Sequence, residues 1–227
     1  MKKLFFIVLG FVSVLAGIGQ NKKNYFEINL GVQNLQNKNI YTIHQNDGCM
    51  MGAFSLTNIK EESLNLPTFS VLRYHHTRIK DLSFISGIGV NQKGFLETAT
   101  RVYYENPAIV DNYSLKRIMT YASLQFGVNY TFLTYENVEL SISQMVYSET
   151  TLPICSMQNY EFQKDAYSSA TFLKIVVLID KNSALIIKPF FQTALSNYSK
   201  DRTDFNGNLL ANNYRPFGYG LSLGFSF

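Results

Sequence analysis

The sequence predicts an all-β fold, a closed antiparallel up-and-down transmembrane β-barrel of about eight strands. Three observations support this prediction: an N-terminal segment with the order of a signal peptide, strand-length segments in which apolar and polar residues alternate, and connections that are alternately long and short. The composition agrees, because aromatic residues make up 15% of the chain and charged residues only 16%, against roughly 25% charged residues in soluble domains. Such a surface is poorly matched to water.

The N-terminus has the charged, apolar and small-residue order of a secretory signal peptide. Two lysines precede the apolar run Leu4–Leu15, and small residues follow this run up to Gly19. We expect cleavage after Gly19, which makes 1–19 the signal peptide and 20–227 one barrel domain in the bacterial outer membrane. An uncleaved anchor is the alternative, but the run is shorter than the roughly 20 residues that a membrane helix needs.

The first and last strands of the predicted barrel alternate most clearly. Residues Phe26–Gln33 alternate apolar with polar side chains, and within the last segment, which begins at Tyr214, Phe217–Phe227 alternates large apolar residues with glycine and serine. A face made of small residues suits the narrow interior of a small barrel. Six further strands are predicted between these two: Phe69–Thr77, Leu82–Gly94, Thr120–Phe132, Val138–Tyr147, Ala170–Ile179 and Leu185–Leu195.

The predicted connections alternate in length along the chain. The long ones are Asn34–Thr68, Phe95–Met119, Ser148–Ser169 and Ser196–Asn213, and short turns lie between them. This asymmetry is typical of outer-membrane barrels, in which short turns face the periplasm and long loops face outward. Within the seventh predicted strand, Pro189 has no backbone N–H to donate, so we expect a bulge there.

Two segments resemble a known group, the small outer-membrane β-barrel proteins of Bacteroidetes, called PorT-like or outer-membrane β-barrel domain proteins. The run Ser86–Phe95 is similar to the Gly-aromatic, Lys-Gly strand end of that family, with Val90 in place of the usual aromatic residue, and Tyr121–Tyr130 is similar to the strand that follows. The terminal Phe227, with Phe225 before it, resembles the signal that outer-membrane assembly machinery reads. The resemblance implies an outer-membrane barrel whose partners are outer-membrane lipid and the barrel assembly machinery.

Charged residues fall on the polar faces of several predicted strands. Counting the alternation along each strand places five charged residues inward, and these form a candidate lumen charge network. Two further residues are placed inward on weaker alternation. The network is Glu27, Arg73, Lys93, Glu139 and Lys188, and the two further residues are His75 and Lys174. One interpretation is an ion path or ligand site, and the other is a set of paired charges that plugs a narrow barrel. We favour the plug, because side chains fill an eight-stranded barrel and buried charges are normally paired.

The sequence predicts no cofactor, metal or catalytic site. The three histidines are His44, His75 and His76, and they lack the matching Cys or carboxylate spacing of a zinc site, which needs three or four converging ligands. A Ser-His-acid set could be assembled from Ser55, His44 and Asp47, but loops rich in Ser and Asp supply such sets by chance. No strained-turn nucleophile motif is present. We therefore expect that the protein is not an enzyme.

The two cysteines, Cys49 and Cys155, fall in the first and third predicted long loops. Both would lie on the external side of the barrel, and an exported chain reaches an oxidising compartment. A disulfide between them and two unpaired thiols are both compatible with the sequence.

These features predict a non-enzymatic integral outer-membrane barrel with a structural or surface-interaction role through its long external loops, because loops on a rigid scaffold usually carry recognition. Without Lys2 and Lys3, 18 basic residues stand against 16 acidic ones, which gives no indication of a nucleic-acid partner. Two alternatives stay open: a subunit of an outer-membrane secretion or transport assembly, and a lipid-modifying outer-membrane enzyme. A protein partner of the loops is possible and is not identified.

Overall fold

The structure is a computed structural model of the chain, and it describes the larger part of the sequence. The described residues are 25–37, 54–103, 110–152, 163–180, 183–198, 202–203, 209–210 and 214–227. The predicted signal peptide, 1–19, and both cysteines, Cys49 and Cys155, lie outside these ranges, so the predictions about them stay predictions.

Eight antiparallel strands close into one barrel, which confirms the predicted fold class. Around the barrel the order is β1-β10-β7-β6-β5-β4-β3-β2, and β8 and β9 form a separate two-stranded sheet in the connection between β7 and β10. The strands are β1 Tyr25–Asn37, β2 Phe54–His76, β3 Leu82–Tyr103, β4 Val110–Tyr135, β5 Val138–Thr151, β6 Asp165–Leu178, β7 Ala184–Ala194, β8 Arg202–Thr203, β9 Leu209–Leu210 and β10 Pro216–Ser226.

The first strand closes the barrel by pairing on both of its sides. Leu30 lies opposite Leu223 of β10 and opposite Phe69 of β2. At the chain end, Phe26 and Phe227 exchange backbone hydrogen bonds of 3.2 and 3.1 Å. Closure gives the backbone groups of these outer strands a partner on each side, which is the condition for a sheet to cross hydrocarbon.

The two ends of the barrel differ in their connections. One end, the turn end, carries the short connections 77–81, 136–137 and 179–183 together with Tyr25 and Phe227; the other, the loop end, carries the connections 38–53, 104–109, 152–164 and 195–215. The length asymmetry predicted from the sequence is therefore present, although the connection 104–109 is short.

Three strands extend much further than predicted. The gaps Asn34–Thr68 and Phe95–Met119 were predicted as loops, but β2, β3 and β4 continue through most of them. The last β1–β2 pair joins Leu35 to Leu64, so β2, β3 and β4 form a three-stranded extension beyond the loop end. The prediction was wrong here because the sequence of these segments mixes polar and apolar residues without a two-residue period, and alternation is visible only where one face is apolar.

The outer face of the barrel is apolar along the described strands. Exposed aliphatic and aromatic side chains circle it in an apolar belt that includes Ile28, Leu30, Val32, Ile88, Leu124, Val128, Ile142, Val146, Leu173, Phe191, Leu221, Leu223 and Phe225. A continuous apolar surface of this kind marks a membrane or protein contact. Within the described ranges, no helix is long and apolar enough to cross a membrane.

The expected bulge at Pro189 is absent. Pro189 lies opposite Leu221 of β10 in an uninterrupted register. On its other side the β6–β7 pairing pauses between Phe172 and Ile175 and resumes in the same register. Two residue pairs of the β6–β7 ladder are therefore missing beside Pro189, which has no backbone N–H, but neither strand contains an extra residue.

Candidate functional site in the barrel lumen

A buried ion cluster occupies the lumen near the turn end. Glu27 of β1 forms ion pairs with two lysines: Lys174 Nζ of β6 lies 2.7 Å from Glu27 Oε2, and Lys188 Nζ of β7 contacts Glu27 Oε1. The side chain of Glu27 has no solvent exposure, and the two lysines are almost equally buried. Two buried cations therefore share one carboxylate, so each group depends on its partner.

Two stacked tyrosines complete the turn-end cluster. The rings of Tyr25 and Tyr74 lie 4.5 Å apart with an interplanar angle of 9°. Lys174 Nζ lies 3.8 Å from the centre of the Tyr74 ring and donates to the Tyr25 hydroxyl at 3.0 Å. The aromatic faces therefore supply the negative potential that a second carboxylate would otherwise provide.

A second ion cluster occupies the lumen near the loop end. Lys93 of β3 donates to Glu149 Oε2 at 2.8 Å, to the Tyr198 hydroxyl at 2.7 Å and to Ser168 Oγ at 3.3 Å. The side chains of Lys93 and Glu149 are both buried. An ammonium group has three hydrogens to donate, and all three find partners here, so no free donor is left on Lys93 for a ligand.

Neighbouring side chains saturate the carboxylate of this cluster as well. Asn91 donates to Glu149 Oε1 at 3.1 Å, Ser168 donates to Glu149 Oε2 at 3.2 Å, and the Tyr198 hydroxyl also contacts Oε2. Gln192 of β7 donates to Ser168 at 2.8 Å, which links another wall strand to the network. Such a satisfied polar network holds one arrangement of the lumen rather than a reactive group.

Tyr198 belongs to a connection rather than to the barrel wall. It lies beyond the end of β7, and its backbone N–H donates to the carbonyl of Tyr214 at 2.9 Å, while its own carbonyl accepts from Gln163 at 2.8 Å. Its ring meets that of Tyr121 edge to face, with centroids 5.4 Å apart. Burial, followed by the charge of Glu149, raises the pKa of the Tyr198 phenol well above its usual range, so the hydroxyl keeps its proton.

Apolar side chains separate the two ion clusters. Those packed together between them are Leu72, Tyr74, Ile85, Met145, Tyr147, Ala170, Phe172 and Phe190. Gly220 makes room for this layer, because a side chain there would collide with the Phe190 ring. A cavity bordered by Gln33, Gln125 and Lys188 among others has about 30 Å³ available to the centres of water molecules. That volume holds about two waters.

Most of the candidate lumen network lies inside the barrel. Glu27, Lys93 and Lys188 are buried in the lumen, and Lys174 is buried beside them. Glu139 is half-buried at the turn end, on the inward side of β5. The sequence pattern missed Glu149 because the predicted fifth strand stopped at Tyr147; extending its alternation by one more step would have placed Glu149 inward.

Two predicted lumen residues are corrected by the structure. Arg73 is exposed on the outer face, with its guanidinium 5.5 Å from the centre of the Phe26 ring. His75 lies on the same face of β2 and contacts Ser86 Oγ at 2.9 Å. The inward residues of β2 are instead Leu72 and Tyr74. The strand phase was misjudged because the lumen is itself apolar at this level, so both faces of β2 carry large apolar residues.

The C-terminal aromatic pair lies on the outer surface at the turn end. Phe225 and Phe227 are 43% and 56% exposed. Their rings lie 6.5 Å apart, and the Phe227 ring lies 6.4 Å from that of Phe26. The end of the chain therefore joins the apolar belt, although this position does not test an assembly signal.

The remaining catalytic and metal candidates stay predictions. His44 and Asp47 lie outside the described residues, so the Ser55, His44 and Asp47 set has no described geometry. His76 contacts Ser83 at 3.3 Å within the lumen. In the described part of the chain, no three His, Cys, Asp or Glu side chains converge in a way that could hold a metal ion.

The fold is similar to those of several solved outer-membrane proteins. Neisserial surface protein A matches with a TM-score of 0.52 and 10% identity over 89% of this chain and 95% of that one. OprG from Pseudomonas aeruginosa gives 0.43 and 9% over 92% and 97%, and AlkL, solved in lipid bilayers, gives 0.45 and 12% over 92% and 91%. No family model and no curated protein sequence matches the chain. The chain thus shares the closed barrel fold of the neisserial protein.

Proposed function

We propose that the chain is a non-enzymatic integral protein of the bacterial outer membrane, with a plugged lumen and a surface-interaction role at its loop end. The observation that supports it most is the pair of buried ion clusters that lie in the lumen on either side of an apolar layer. A barrel filled in this way acts through its surfaces rather than through its interior.

The apolar belt supports the membrane location. Leu30, Leu221 and Tyr219 are 66%, 49% and 64% exposed, and in water each would be an unfavourable contact. In a bilayer the same side chains face lipid, and the closed strands leave no edge to be desolvated. The predicted signal peptide and the resemblance to PorT-like proteins point to the outer membrane, and both belong to this proposal.

The lumen contents argue against a conducting pore. In eight-stranded barrels, side chains generally fill the interior, and here two ion clusters and the apolar layer between them occupy the described part of the lumen. An ion entering from the loop end would have to displace Tyr198 and break its contacts with Lys93 and Glu149.

The saturation of the charged groups supports a non-enzymatic role. A general base or nucleophile needs a free lone pair or proton near a reacting atom. Lys93 has used its three donors, and Glu149 accepts from Asn91, Ser168, Lys93 and Tyr198. These groups are committed to holding the fold.

The loop end is the surface suited to recognition. The extension of β2, β3 and β4 carries exposed charged side chains, including Lys60, Glu62, Asp111 and Lys116. It stands beyond the mouth of the barrel on the side that, in an outer membrane with the turns in the periplasm, faces the medium.

Planar-bilayer recording tests the plugged lumen. We expect the purified mature protein to insert without stepwise conductance, while a large open porin in the same bilayer gives resolved channels. Reproducible single-channel steps that scale with the amount of inserted protein would overturn the plug.

Co-purification and lipid profiling test the surface role. We expect the protein solubilised from membranes to run as a barrel with no stoichiometric secretion components, and its deletion to leave lipid A and phospholipid acylation unchanged. A stable complex with transport subunits, or altered acylation, would overturn the proposed role in favour of the corresponding alternative.

A further inference from the structure

We propose that Arg73, with Arg78 and Lys80, forms a binding site for the phosphodiester of an anionic phospholipid in the leaflet at the turn end. This inference rests on the membrane location proposed above. It concerns the outer surface of the barrel wall, whereas the proposed plug concerns the lumen.

Arg73 is an unusual residue for its position. It follows Phe69 and Val71 on the outward face of β2, and its neighbour across the sheet is Phe26, a residue of the apolar outer surface. An arginine facing lipid is unfavourable at the bilayer centre and becomes tolerable only near an interface. Arg73 lies close to the end of β2 at His76, where its side chain can reach the headgroup level.

The guanidinium of Arg73 is oriented by an aromatic platform. It lies 5.5 Å from the centre of the Phe26 ring, and that ring in turn lies against Phe227. Among the described residues no carboxylate forms an ion pair with Arg73. A guanidinium held over a ring keeps its N–H groups free at its edge, and this fork matches two oxygens of one phosphate.

His75 adds a second polar group on the same face. Its Nε2 contacts Ser86 Oγ at 2.9 Å, and the side chain is only 9% exposed. Its other nitrogen, Nδ1, has no hydrogen-bond partner among the described residues. Arg73 and His75 are two residues apart on one strand, so their side chains share one face. The buried imidazole therefore holds an unused polar atom beside the proposed site.

The turn that follows β2 extends the positive surface. Arg78 and Lys80 are exposed there, and Asp81 is the acidic residue of the same turn. Elsewhere on the turn end the exposed charges include the acidic residues Glu136 and Asp180. Among the described residues of the turn end, Arg78 and Lys80 thus place two exposed cations on the β2–β3 side of the rim, which suits a headgroup with net negative charge.

The chemistry favours an anionic lipid over a zwitterionic one. Both carry a phosphodiester, but the amine of a zwitterionic headgroup would be repelled by the three cations. Each cation near a membrane surface contributes enough attraction to raise the local preference for anionic lipid about fivefold. We therefore expect enrichment of phosphatidylglycerol over phosphatidylcholine around this sector of the barrel.

Native mass spectrometry of the full mature barrel tests the site. The protein is reconstituted in phosphatidylcholine nanodiscs with a minority of phosphatidylglycerol, and the lipids that stay bound after release are counted. We expect the wild type to retain phosphatidylglycerol in excess of its share, and Arg73→Gln to lower that excess about fivefold. Arg215→Gln, which removes an exposed arginine near the loop end, is the matched control and should retain the wild-type excess.

The outcomes separate this inference from the proposed function. If the wild type and both variants insert but Arg73→Gln retains the wild-type excess, or if the wild type shows no excess, the lipid site is wrong and the membrane barrel stands. If the wild type does not insert into bilayers at all, the proposed membrane location fails and the lipid site fails with it.

Discussion

The Nζ atom of Lys93 lies 2.7 Å from the hydroxyl oxygen of Tyr198, and this contact joins the wall of the barrel to the connection that leaves β7. The tyrosine ring packs against Tyr121, and the ammonium lies 4.3 Å from the centre of the Tyr198 ring. Tyr198, which belongs to the connection after β7 and not to a wall strand, therefore closes the loop end of the lumen from within.

Removing that hydroxyl should destabilise the protein. In Tyr198→Phe, Lys93 and Glu149 each lose a buried partner, and a buried polar group left unsatisfied costs about 1–3 kcal/mol. Urea titration of the folded barrel in detergent measures the change. Tyr219→Phe, on the exposed outer face, is the control and should leave the midpoint unchanged; equal effects of the two substitutions would contradict the role of Tyr198.

Neutralising the shared carboxylate should have a larger effect. Glu27→Gln leaves Lys174 and Lys188 buried without their anion, and breaking a buried ion pair by removing one partner costs about 3–5 kcal/mol. The same unfolding measurement applies, with Glu62→Gln, exposed on the loop-end extension, as the control. A loss of stability in Glu27→Gln no greater than that in Glu62→Gln would show that the turn-end cluster is not the plug described here.

The sequence predicted the barrel because the outer face of its wall strands is apolar. Alternation in β1 and β10 was clear, since one face is apolar and the other holds glycine, serine or buried polar residues. The phase of β2 was not predictable in the same way, because Leu72 and Tyr74 fill an apolar layer of the lumen while Phe69 and Val71 face outward.

The entry of Tyr198 into the loop-end cluster lay beyond what alternation can show. Glu149 was assigned to a loop, and Tyr198 enters the lumen from a connection whose course is set by backbone contacts with Tyr214 and Gln163. No local pattern encodes such a contact between distant parts of the chain. By contrast, Glu27 and Lys188 were placed inward by the parity of single strands, and their mutual contact needs only barrel closure.

Charge on the lipid face should be tolerated according to depth. Val128→Arg places a cation on the apolar belt within the wall part of β4 and should cost about 2–4 kcal/mol, while Tyr135→Arg, on the same outward face at the turn-end limit of β4, should cost about 0–1 kcal/mol. Equilibrium unfolding in lipid vesicles measures both. Equal costs would mean that this face of β4 does not cross a bilayer. Gln125→Arg, on the inward face of β4, would not serve as a control for Val128→Arg, because Gln125 is buried in the filled lumen.

The C-terminal residue should matter for assembly more than for export. Deleting Phe227 removes a ring that packs on Phe26 and Phe225 and the residue that resembles an assembly signal. We expect the truncated chain to reach the periplasm with its signal peptide removed and to accumulate poorly in the outer membrane, as measured by membrane fractionation. Normal outer-membrane levels of the truncated chain would refute the assembly signal.

The electrophoretic mobility of the mature protein, compared before and after boiling in detergent, tests the central claim most directly. The account predicts two positions, because a closed barrel with a hydrogen-bonded wall and a plugged lumen resists detergent and stays compact until it is boiled. The unheated band should therefore migrate differently from the boiled one, and Glu27→Gln should lower the temperature at which the first converts to the second. A single band position at every temperature, for protein inserted in a bilayer before solubilisation, would contradict the closed barrel.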